Sequence, residues 1–451
     1  MLSILISIIG ILITIFLVVG VHELGHFLVA KGLGIKVLRF SIGFGKPLLT
    51  WRDKKNTEYV IAAIPLGGYV KMLDEGEGDV TPEELPLTFN RQPFYKKMAV
   101  IAAGPVFNLI FALAIYWTLF VVGFVSVAPI IGTVTPHSIA EQAGLKAQQE
   151  IVKIDNKTTL NWTTVVISLI SHAGDKEKMS IEIRDPDATT TKMYYLDVAN
   201  WHLDELKPDP LVSLGIAPYE PVMPPVIGKI LPKSPAEKAG LKVGDKILSI
   251  DGRSIKDWFD VVVLTSTHPD EILSFNILRG TEKITLPIMI GYKRNLFFQK
   301  QGYLGMAPDF QWPAKLLRDN KFGPIAAFSH ACQDVMTFTN MNFIILGKML
   351  TGKISLKSLG GPITIFETAG NALNNGIFAF MAFLAFLSIS IGIINIIPIP
   401  GLDGGHLLFQ IIETIIRRPL SEKTVVLSYR LGMLFLLLIM VQALVNDMLR
   451  L

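Results

Sequence analysis

The sequence His22-Glu23-Leu24-Gly25-His26 brings together three side chains that could perform hydrolytic chemistry around a metal ion. Histidines four residues apart lie on one face of a helix, so both imidazoles can reach one cation, and the glutamate between them can act as a general base. The motif lies within an apolar run over residues 2–30. An ionisable side chain at membrane depth costs about 2.5–3.5 kcal/mol on insertion scales, which favours a functional site over a pair of buried structural histidines.

A hydrolytic zinc site usually takes a third protein ligand and keeps one position for water. Asp403 is the best candidate, because it follows two prolines that interrupt an apolar helix near the cytoplasmic side of the membrane. A carboxylate at that depth would be costly without a cation. The sequence therefore predicts His22, His26 and Asp403 as ligands of Zn²⁺, with Glu23 taking a proton from the bound water.

The composition places these residues in an integral membrane protein that also has a substantial polar portion. Of 451 residues, 50% are hydrophobic and only 18% are charged, whereas soluble proteins carry about 25% charged residues. The net charge of +4, without a strongly basic run, predicts no nucleic-acid partner. The single cysteine, Cys332, excludes an intrachain disulfide and a cysteine-rich zinc site.

Four apolar segments are long enough to cross the roughly 30 Å hydrocarbon layer of a membrane. We predict transmembrane helices in residues 1–31, 98–127, 376–416 and 425–447, with amphipathic surface helices in 311–375. The basic residues of 32–97 and 417–423 place those two segments in the cytoplasm. Both termini and residues 128–310 are then expected on the outer side, and the metal motif in the cytoplasmic half of the first span.

Two features near the motif leave alternatives open. Residues 42–72 combine glycine-rich turns with β-branched alternation and predict short strands, either re-entrant in the membrane or in an ordinary cytoplasmic hairpin. Gly104-Pro105 and Asn108 in the second span could serve helix packing or line the metal site. Residues 74–88 are predicted to form a solvated acidic loop, and His330 is expected not to be a metal ligand.

The polar portion contains an internal repeat. Residues 138–146 (SIAEQAGLK) recur 96 positions later as residues 234–242 (SPAEKAGLK), and the register continues to Trp162 and Trp258. Both copies resemble PDZ domains, which bind extended peptides by strand addition. We predict PDZ domains in residues 128–220 and 221–310, although Gln148-Gln149 replaces Gly244-Asp245 in the first copy and makes a shared ligand site doubtful. A purely spacing role is the alternative.

Together, the H-E-x-x-H motif, G-P-x-x-N at residues 104–108, the tandem PDZ-like repeats and N-x-x-P-x-P-x-L-D-G at residues 395–404 resemble the bacterial site-2 proteases over essentially the whole chain. The resemblance implies a polytopic α-helical membrane protein with four transmembrane helices, a membrane re-entrant β-sheet and two tandem extracytoplasmic PDZ domains. It implies catalytic roles for Glu23 and Asn395 beside the three metal ligands. The residues in which we predict substrate binding are Gly67, Gly68, Tyr69, Asn108, Pro398 and Pro400.

The resemblance also implies an activity and a location. The expected enzyme is a zinc metalloendopeptidase of the bacterial inner membrane, monomeric, with the PDZ domains and both termini in the periplasm. It is expected to cut transmembrane segments of single-span proteins already shortened on the outer side, such as an anti-sigma factor in envelope stress signalling and remnant signal peptides. The PDZ domains are expected to act as a substrate size filter.

Two other classes of protein compete with the protease. A transporter of zinc or protons also places ionisable groups at membrane depth, but it needs no general base at Glu23. A membrane scaffold would use the PDZ pair and hold a structural zinc ion. Structural zinc sites fill all four positions with protein ligands, whereas the sequence offers three obvious candidates, which argues against the scaffold.

Overall fold

The structure is a computed structural model that describes residues 2–75, 80–204, 209–294 and 299–450. Residues 76–79 of the predicted acidic loop, and residues 205–208 and 295–298 within the two predicted PDZ segments, lie outside the described residues. The helices are α1 (Leu2–Gly32), α2 (Phe94–Val122), α3 (Ile139–Gln142), α4 (Trp162–Ile170), α5 (Pro210–Leu214), α6 (Pro235–Lys238), α7 (Trp258–Ser266), α8 (Pro324–Leu350), α9 (Pro362–Asn374), α10 (Ile377–Ile396), α11 (Asp403–Ile416) and α12 (Glu422–Arg450).

The strands are short except for the first two. They are β1 (Val37–Arg52), β2 (Glu58–Met72), β3 (Val125–Val127), β4 (Ile131–Val134), β5 (Glu150–Ile154), β6 (Lys157–Thr158), β7 (Lys178–Arg184), β8 (Thr191–Asp197), β9 (Ile216–Pro218), β10 (Ile227–Ile230), β11 (Lys246–Ile250), β12 (Arg253–Ser254), β13 (Ile272–Arg279), β14 (Glu282–Met289), β15 (Gly291–Arg294), β16 (Lys300–Tyr303), β17 (Met306–Pro308) and β18 (Leu317–Asp319).

Four of the described helices, α1, α2, α10 and α12, are long and apolar enough to cross a membrane, which confirms the predicted number of such segments. The first three share a core that includes Val18, Ala112 and Ile389. The closest approach of α1 to α2 falls inside the metal motif, where a Cβ at Gly25 would lie 2.6 Å from the carbonyl oxygen of Ala103. Small residues allow helices in a membrane to approach this closely, so Gly25 presses the motif against α2.

The second long helix ends five residues before the predicted boundary. Gly123 adopts φ +89°, a conformation that a helix cannot continue and that glycine adopts at little cost. The next residues, predicted as part of the span, form β3, which pairs with β18 beyond the second repeat. The two ends of the polar portion therefore leave and re-enter the helical part side by side.

Strands β1 and β2 form a folded sheet beside the metal motif. Positive φ angles at Gly43 and Gly45 bend β1. Residues 39–42, before the bend, pair with both 68–71 and 58–61 of β2, and residues 47–52, after the bend, pair with 58–62. The spatial order is residues 47–52, 58–62, 39–42 and 68–71. Within the described residues, the stretch 68–70 therefore has one neighbouring strand, residues 40–42, and one edge without a paired strand, which we call the free edge.

The two sequence repeats fold into the same arrangement. Each has a four-stranded antiparallel sheet, in the orders β6-β5-β7-β8 and β12-β11-β13-β14, and a separate pair formed by its first and last strands, β4–β9 and β10–β17. The exchange of Gly244 for Gln148 does not alter the backbone, since Gln148 adopts φ +67° and its N–H donates to Ile131 as Gly244 donates to Ile227. Each repeat has its own apolar core.

Helix α8 connects the first repeat to the transmembrane helices. Among the described helices, it is not one of the four that are long and apolar enough to cross a membrane. Near its beginning, the indole N–H of Trp117 in α2 donates to the Pro324 carbonyl. Near its end, the buried ammonium of Lys348 donates to the carbonyls of Ser171 and Ala173 and pairs with Asp175 at 3.0 Å. His330 packs against the rings of Phe322 and Phe120.

Candidate metal centre

Helices α1 and α11 bring the three predicted ligands into contact although 377 residues separate His26 from Asp403. The Asp403 Oδ2 atom lies 3.0 Å from His22 Nε2 and 3.4 Å from His26 Nε2, and the two Nε2 atoms are 3.3 Å apart. Among the described residues, this is the one group of three such side chains whose ligand atoms lie within 4.8 Å of one another. Both imidazoles are buried, so the cluster is shielded from bulk solvent.

Contacts behind each imidazole fix the nitrogen that faces the cluster. The Nδ1 atom of His26 lies 2.8 Å from the Val100 carbonyl oxygen and donates to it, which leaves Nε2 with a free lone pair. The Nδ1 atom of His22 lies 3.3 Å from the Asn108 amide, whose Oδ1 has no hydrogen-bond partner among the described residues. A flip of that amide lets Oδ1 accept from Nδ1, and outer contacts of this kind orient metal-bound histidines.

The chemistry and the space of the cluster fit Zn²⁺. Two neutral imidazoles and one carboxylate are the ligand set of many hydrolytic zinc sites. The Oδ2 atom of Asp403 is buried and accepts no conventional hydrogen bond in the described part of the chain. Gly104 of α2 faces the cluster, where a Cβ would overlap His26 Nε2 and lie 2.8 Å from His22 Nε2. The absence of a side chain at Gly104 therefore leaves room at the nitrogen atoms that would hold the ion.

Glu23 lies between the histidines in sequence and next to the folded sheet in space. Its carboxylate-bearing side chain is 9% exposed, and a Cβ at Gly68 would lie 2.7 Å from Glu23 Cγ. Gly68 belongs to the stretch of β2 with the free edge. The backbone of that edge and the predicted general base are therefore in direct contact.

Asp403 is held at the start of α11 by a tight turn. Gly404 and Gly405 follow it, and a Cβ at Gly405 would lie 2.5 Å from the Ile399 carbonyl oxygen. Only residues without side chains fit so closely against the incoming chain. The interruption by the two prolines therefore has a structural purpose, because it turns the chain and presents the carboxylate to α1.

The other predicted site residues lie in two places, the end of α10 with the turn that follows it, and strand β2. Asn395 lies in the last turn of α10, half-buried, and its amide makes no hydrogen bond to the described residues. Pro398 and Pro400 lie in the turn before Asp403. Gly67 and Tyr69 flank Gly68, and the Tyr69 hydroxyl accepts a hydrogen bond from Arg39.

Asn108 is fully buried behind His22, where its side-chain amide faces Nδ1 and its backbone carbonyl accepts a hydrogen bond from Ser388. This position fits an orienting contact to His22, and the substrate contact predicted for Asn108 stays a prediction. Lining the metal site was one of the two alternatives left open for Gly104, whereas the Val100 carbonyl was not predicted as part of the site. The Gly104-Pro105 pair was a visible signal for Gly104, whereas nothing in the sequence marks the carbonyl of Val100.

The four helices long enough to cross a membrane and the cluster of potential metal ligands point to a class of protein, a membrane protein with a metal site. Comparison with known sequences gives the family. The pattern of peptidase family M50 matches residues 10–439, and the chain belongs to this family, the site-2 proteases. It is a zinc metalloprotease of the site-2 type.

Full-length relatives support the same assignment. The chain is 38% identical over 452 residues to Protease RseP of Yersinia pestis and 39% identical over 453 residues to the regulator of sigma E protease of Salmonella typhimurium. It is 36% identical over 453 residues to a Vibrio cholerae protein named as a zinc metalloprotease. Each comparison covers 100% of this chain and 100% of the relative.

Proposed function

We propose that this protease cuts peptide bonds inside transmembrane segments, with His22, His26 and Asp403 holding the zinc ion and Glu23 acting as the general base. The observation that carries the proposal is the position of the cluster, which is buried between helices long enough to cross a membrane. A peptide reaching these residues must itself come from the membrane or from the edge of the helical bundle.

Glu23 and Asn395 have different roles in the proposed hydrolysis of the peptide bond. When bound, zinc polarises the scissile carbonyl and lowers the pKa of its water. Glu23 takes the proton of the attacking water and delivers it to the departing amine. The unpaired amide of Asn395 donates a hydrogen bond to the substrate carbonyl and to the negative charge that develops on it. Burial excludes bulk water and strengthens these interactions.

The free edge of β2 supplies a place for the substrate backbone. A transmembrane helix hides its carbonyls in internal hydrogen bonds, so the segment must unwind before hydrolysis. Residues 68–70 have no paired strand on this edge among the described residues, so their backbone donors and acceptors are available there, and Gly68 contacts Glu23. Pairing the unwound segment with this edge replaces the lost hydrogen bonds and brings the peptide to the base. Gly67 and Tyr69 belong to the same edge.

The two repeats are assigned as PDZ domains on the outer side of the inner membrane. Their shared strand order and the free edges of β9 and β17 support this assignment, because PDZ domains bind peptides by strand addition. The basic residues of the 32–97 and 417–423 segments support the opposite, cytoplasmic placement of the metal centre. The names of relatives support a role in sigma E regulation. The substrates that we propose are a trimmed anti-sigma factor and, as a second group, remnant signal peptides.

The test compares the purified wild type with Glu23→Gln in detergent, using a model transmembrane segment with and without a zinc chelator. We expect the wild type to cut, the chelator to stop it, and Glu23→Gln to bind zinc without cutting. A general acid–base group contributes about 10²–10⁴-fold to a rate, so the loss is at least 100-fold. Cutting by Glu23→Gln at the wild-type rate would remove the base from the mechanism, and cutting without metal would remove the metal centre.

A further inference from the structure

Helix α12 is almost free of contacts except at two places. Within this fully described helix, the buried residues are Gly432 in the first half and Ala443, Asn446 and Asp447 near the end. The carboxylate of Asp447 accepts the N–H groups of Gly361, Ile363 and Thr364 and so caps the start of α9. The other contact is made by Gly432, in the first half of the helix, and lies beside the turn that precedes Asp403.

Gly432 of α12 contacts the backbone of the turn that precedes Asp403. A Cβ at Gly432 would overlap the Pro400 carbonyl oxygen and lie 2.7 Å from the carbonyl carbon. Ordinary contacts of this type are 3.4–4 Å long, so α12 touches the turn backbone to backbone. On the turn itself, Gly401 adopts φ +105°, and a Cβ there would lie 3.3 Å from Met433 Sδ.

On the same face of α12, Tyr429 contacts α11. The Tyr429 hydroxyl lies 2.9 Å from both Nδ1 and Nε2 of His406, within hydrogen-bond distance of either ring nitrogen. Tyr429 is three residues before Gly432, and His406 is three residues after Asp403, so each pair lies on one face of its helix. The turn and the first turn of α11 are therefore both held from the α12 side.

Other contacts hold the turn from the side of α10 and α2, since a Cβ at Gly404 would lie 2.2 Å from the carbonyl oxygens of Ile396 and Ile397, and α11 packs against α2. The turn's own hydrogen bonds are short-range, from Ile399 N–H to the Ile397 carbonyl and from Leu402 N–H to the Ile399 carbonyl. Two prolines remove backbone donors from it. A metal ligand must be placed to within about 0.2 Å, and a functional side chain to within about 0.5 Å, to work. Contacts that fix this turn therefore decide whether Asp403 meets the imidazoles of α1.

We propose that Gly432 and Tyr429 of α12 are positioning residues for Asp403, so that the last transmembrane helix sets the geometry of the metal centre without touching it. The proposal rests on the assignment of Asp403 as a zinc ligand. It follows that a side chain at position 432 displaces the turn, weakens zinc binding and lowers kcat, while the substrate edge at β2 is unchanged.

The experiment measures zinc affinity of the full-length protein in detergent by competition with a chromophoric chelator, together with kcat and KM on a model transmembrane segment. We expect Gly432→Ala to raise the zinc Kd at least tenfold and to lower kcat with KM within twofold. We expect Tyr429→Phe to raise the zinc Kd two- to fivefold. The matched control is Gly347→Ala in α8, where an added Cβ meets nothing within 4 Å, and it should match the wild type.

Helix stability does not confuse the result, because alanine favours a helix more than glycine does. Far-UV circular dichroism checks the fold, and if Gly432→Ala does not fold, Tyr429→Phe decides alone. If Gly432→Ala folds, a zinc Kd within twofold of the wild type overturns the proposal. If Gly432→Ala does not fold, an unchanged zinc Kd for Tyr429→Phe overturns it. Asp403→Ala separates the two hypotheses: normal zinc binding by this variant refutes the metal centre itself, whereas loss in Asp403→Ala with normal binding in Gly432→Ala refutes only the positioning role.

Discussion

At the scale of single residues, the metal centre depends as much on missing side chains as on the ligands. Gly104 leaves room at both Nε2 atoms, Gly25 brings α1 onto α2, and Gly405 lets α11 begin directly against the Ile399 carbonyl. Each of these positions is in contact with backbone or with a ligand atom. Substitution there changes the geometry of the centre without changing any group that takes part in the chemistry.

We expect Gly104→Ala to lose zinc and activity while the protein stays folded. The added Cβ would overlap His26 Nε2, and methyl and metal cannot share that space. The expected effect is a loss of at least 100-fold in activity, since metal ligation supplies the activated water. Metal analysis of the purified protein and cleavage of a model segment measure it, with Gly32→Ala in α1 as the control because a Cβ there meets nothing within 4 Å. Full zinc occupancy in Gly104→Ala would contradict the prediction.

The second repeat contains an ion pair between buried Asp245 and partly exposed Arg279, and this pair links the stability of the repeat to pH. Arg279 donates from Nε and Nη2 to the two oxygens of Asp245, at 2.8 and 2.7 Å. Burial is the largest single influence and raises the pKa of Asp245, but the hydrogen bonds from Arg279 and from the Lys242 N–H, together with the positive charges of these two residues, outweigh it and hold the pKa below its usual value of 3.8. The stability that this carboxylate contributes is therefore present above pH 3.8 and is lost as the pH falls through the lowered pKa.

We expect Asp245→Asn to destabilise the second repeat at neutral pH by about 1.5–3 kcal/mol, the usual range for hydrogen bonds to charged groups. Hydrogen exchange in the full-length protein gives protection factors for β11 and β13 at several pH values. The wild type should lose protection below pH 3.8, and the variant should lack that component. Equal protection of both proteins at pH 7 would show that the pair contributes nothing.

At the scale of elements, the folded sheet of β1 and β2 and the interrupted helix before α11 serve the same site from two sides. The sheet offers an unpaired edge next to Glu23, and the interrupted helix offers Asp403. An unpaired sheet edge is a template for pairing with another strand. The substrate backbone is the partner that we propose, and this places a conformational requirement on the substrate.

We expect substrates with helix-breaking residues near the cut to be cleaved faster than uniformly helical ones. A proline within a helix costs about 3 kcal/mol and a glycine about 1 kcal/mol relative to alanine, so part of the unwinding is already done. Replacing a leucine two residues from the cut by glycine should raise kcat/KM about fivefold. A series with leucine, alanine and glycine at that position measures the effect, and equal rates across the series would argue against unwinding as a limiting step.

At the scale of the whole molecule, the polar portion is inserted between α2 and α8 and is anchored at two places. Strands β3 and β18 hold its two ends together, and Lys348 fixes the first repeat to α8. The second repeat is joined to the first in sequence and has its own core. This arrangement places a folded, bulky unit next to the transmembrane helices, as a size filter requires.

We expect removal of residues 129–310 to leave an active protease that no longer discriminates by substrate size. The pairing of Val127 with Leu317 brings the two cut ends close together, so a short glycine-serine linker can join them. Cleavage of a shortened substrate should stay within a fewfold of the wild type, and an untrimmed substrate should be cut at a similar rate. An untrimmed substrate that stays uncut by the deletion variant would refute the filter.

The sequence by itself determined the features that depend on local periodicity. The helix repeat places His22 and His26 on one face, apolar runs of sufficient length predict four membrane segments, and the 96-residue spacing reveals the tandem repeats. Each of these follows from geometry within one element or from similarity between two segments, so no long-range contact is needed. The boundaries were less accurate, because a single glycine, Gly123, ended the second helix where hydropathy continued.

Only the tertiary structure decided which distant groups meet. It brought Asp403 to the imidazoles, placed Asn108 behind His22, and set Gly104 and the Val100 carbonyl against the ligand atoms. It also placed α12 against the turn that carries Asp403. These contacts depend on how helices cross, and a crossing is determined by packing along both surfaces at once. The spacing of residues along the chain therefore does not predict how the helices cross.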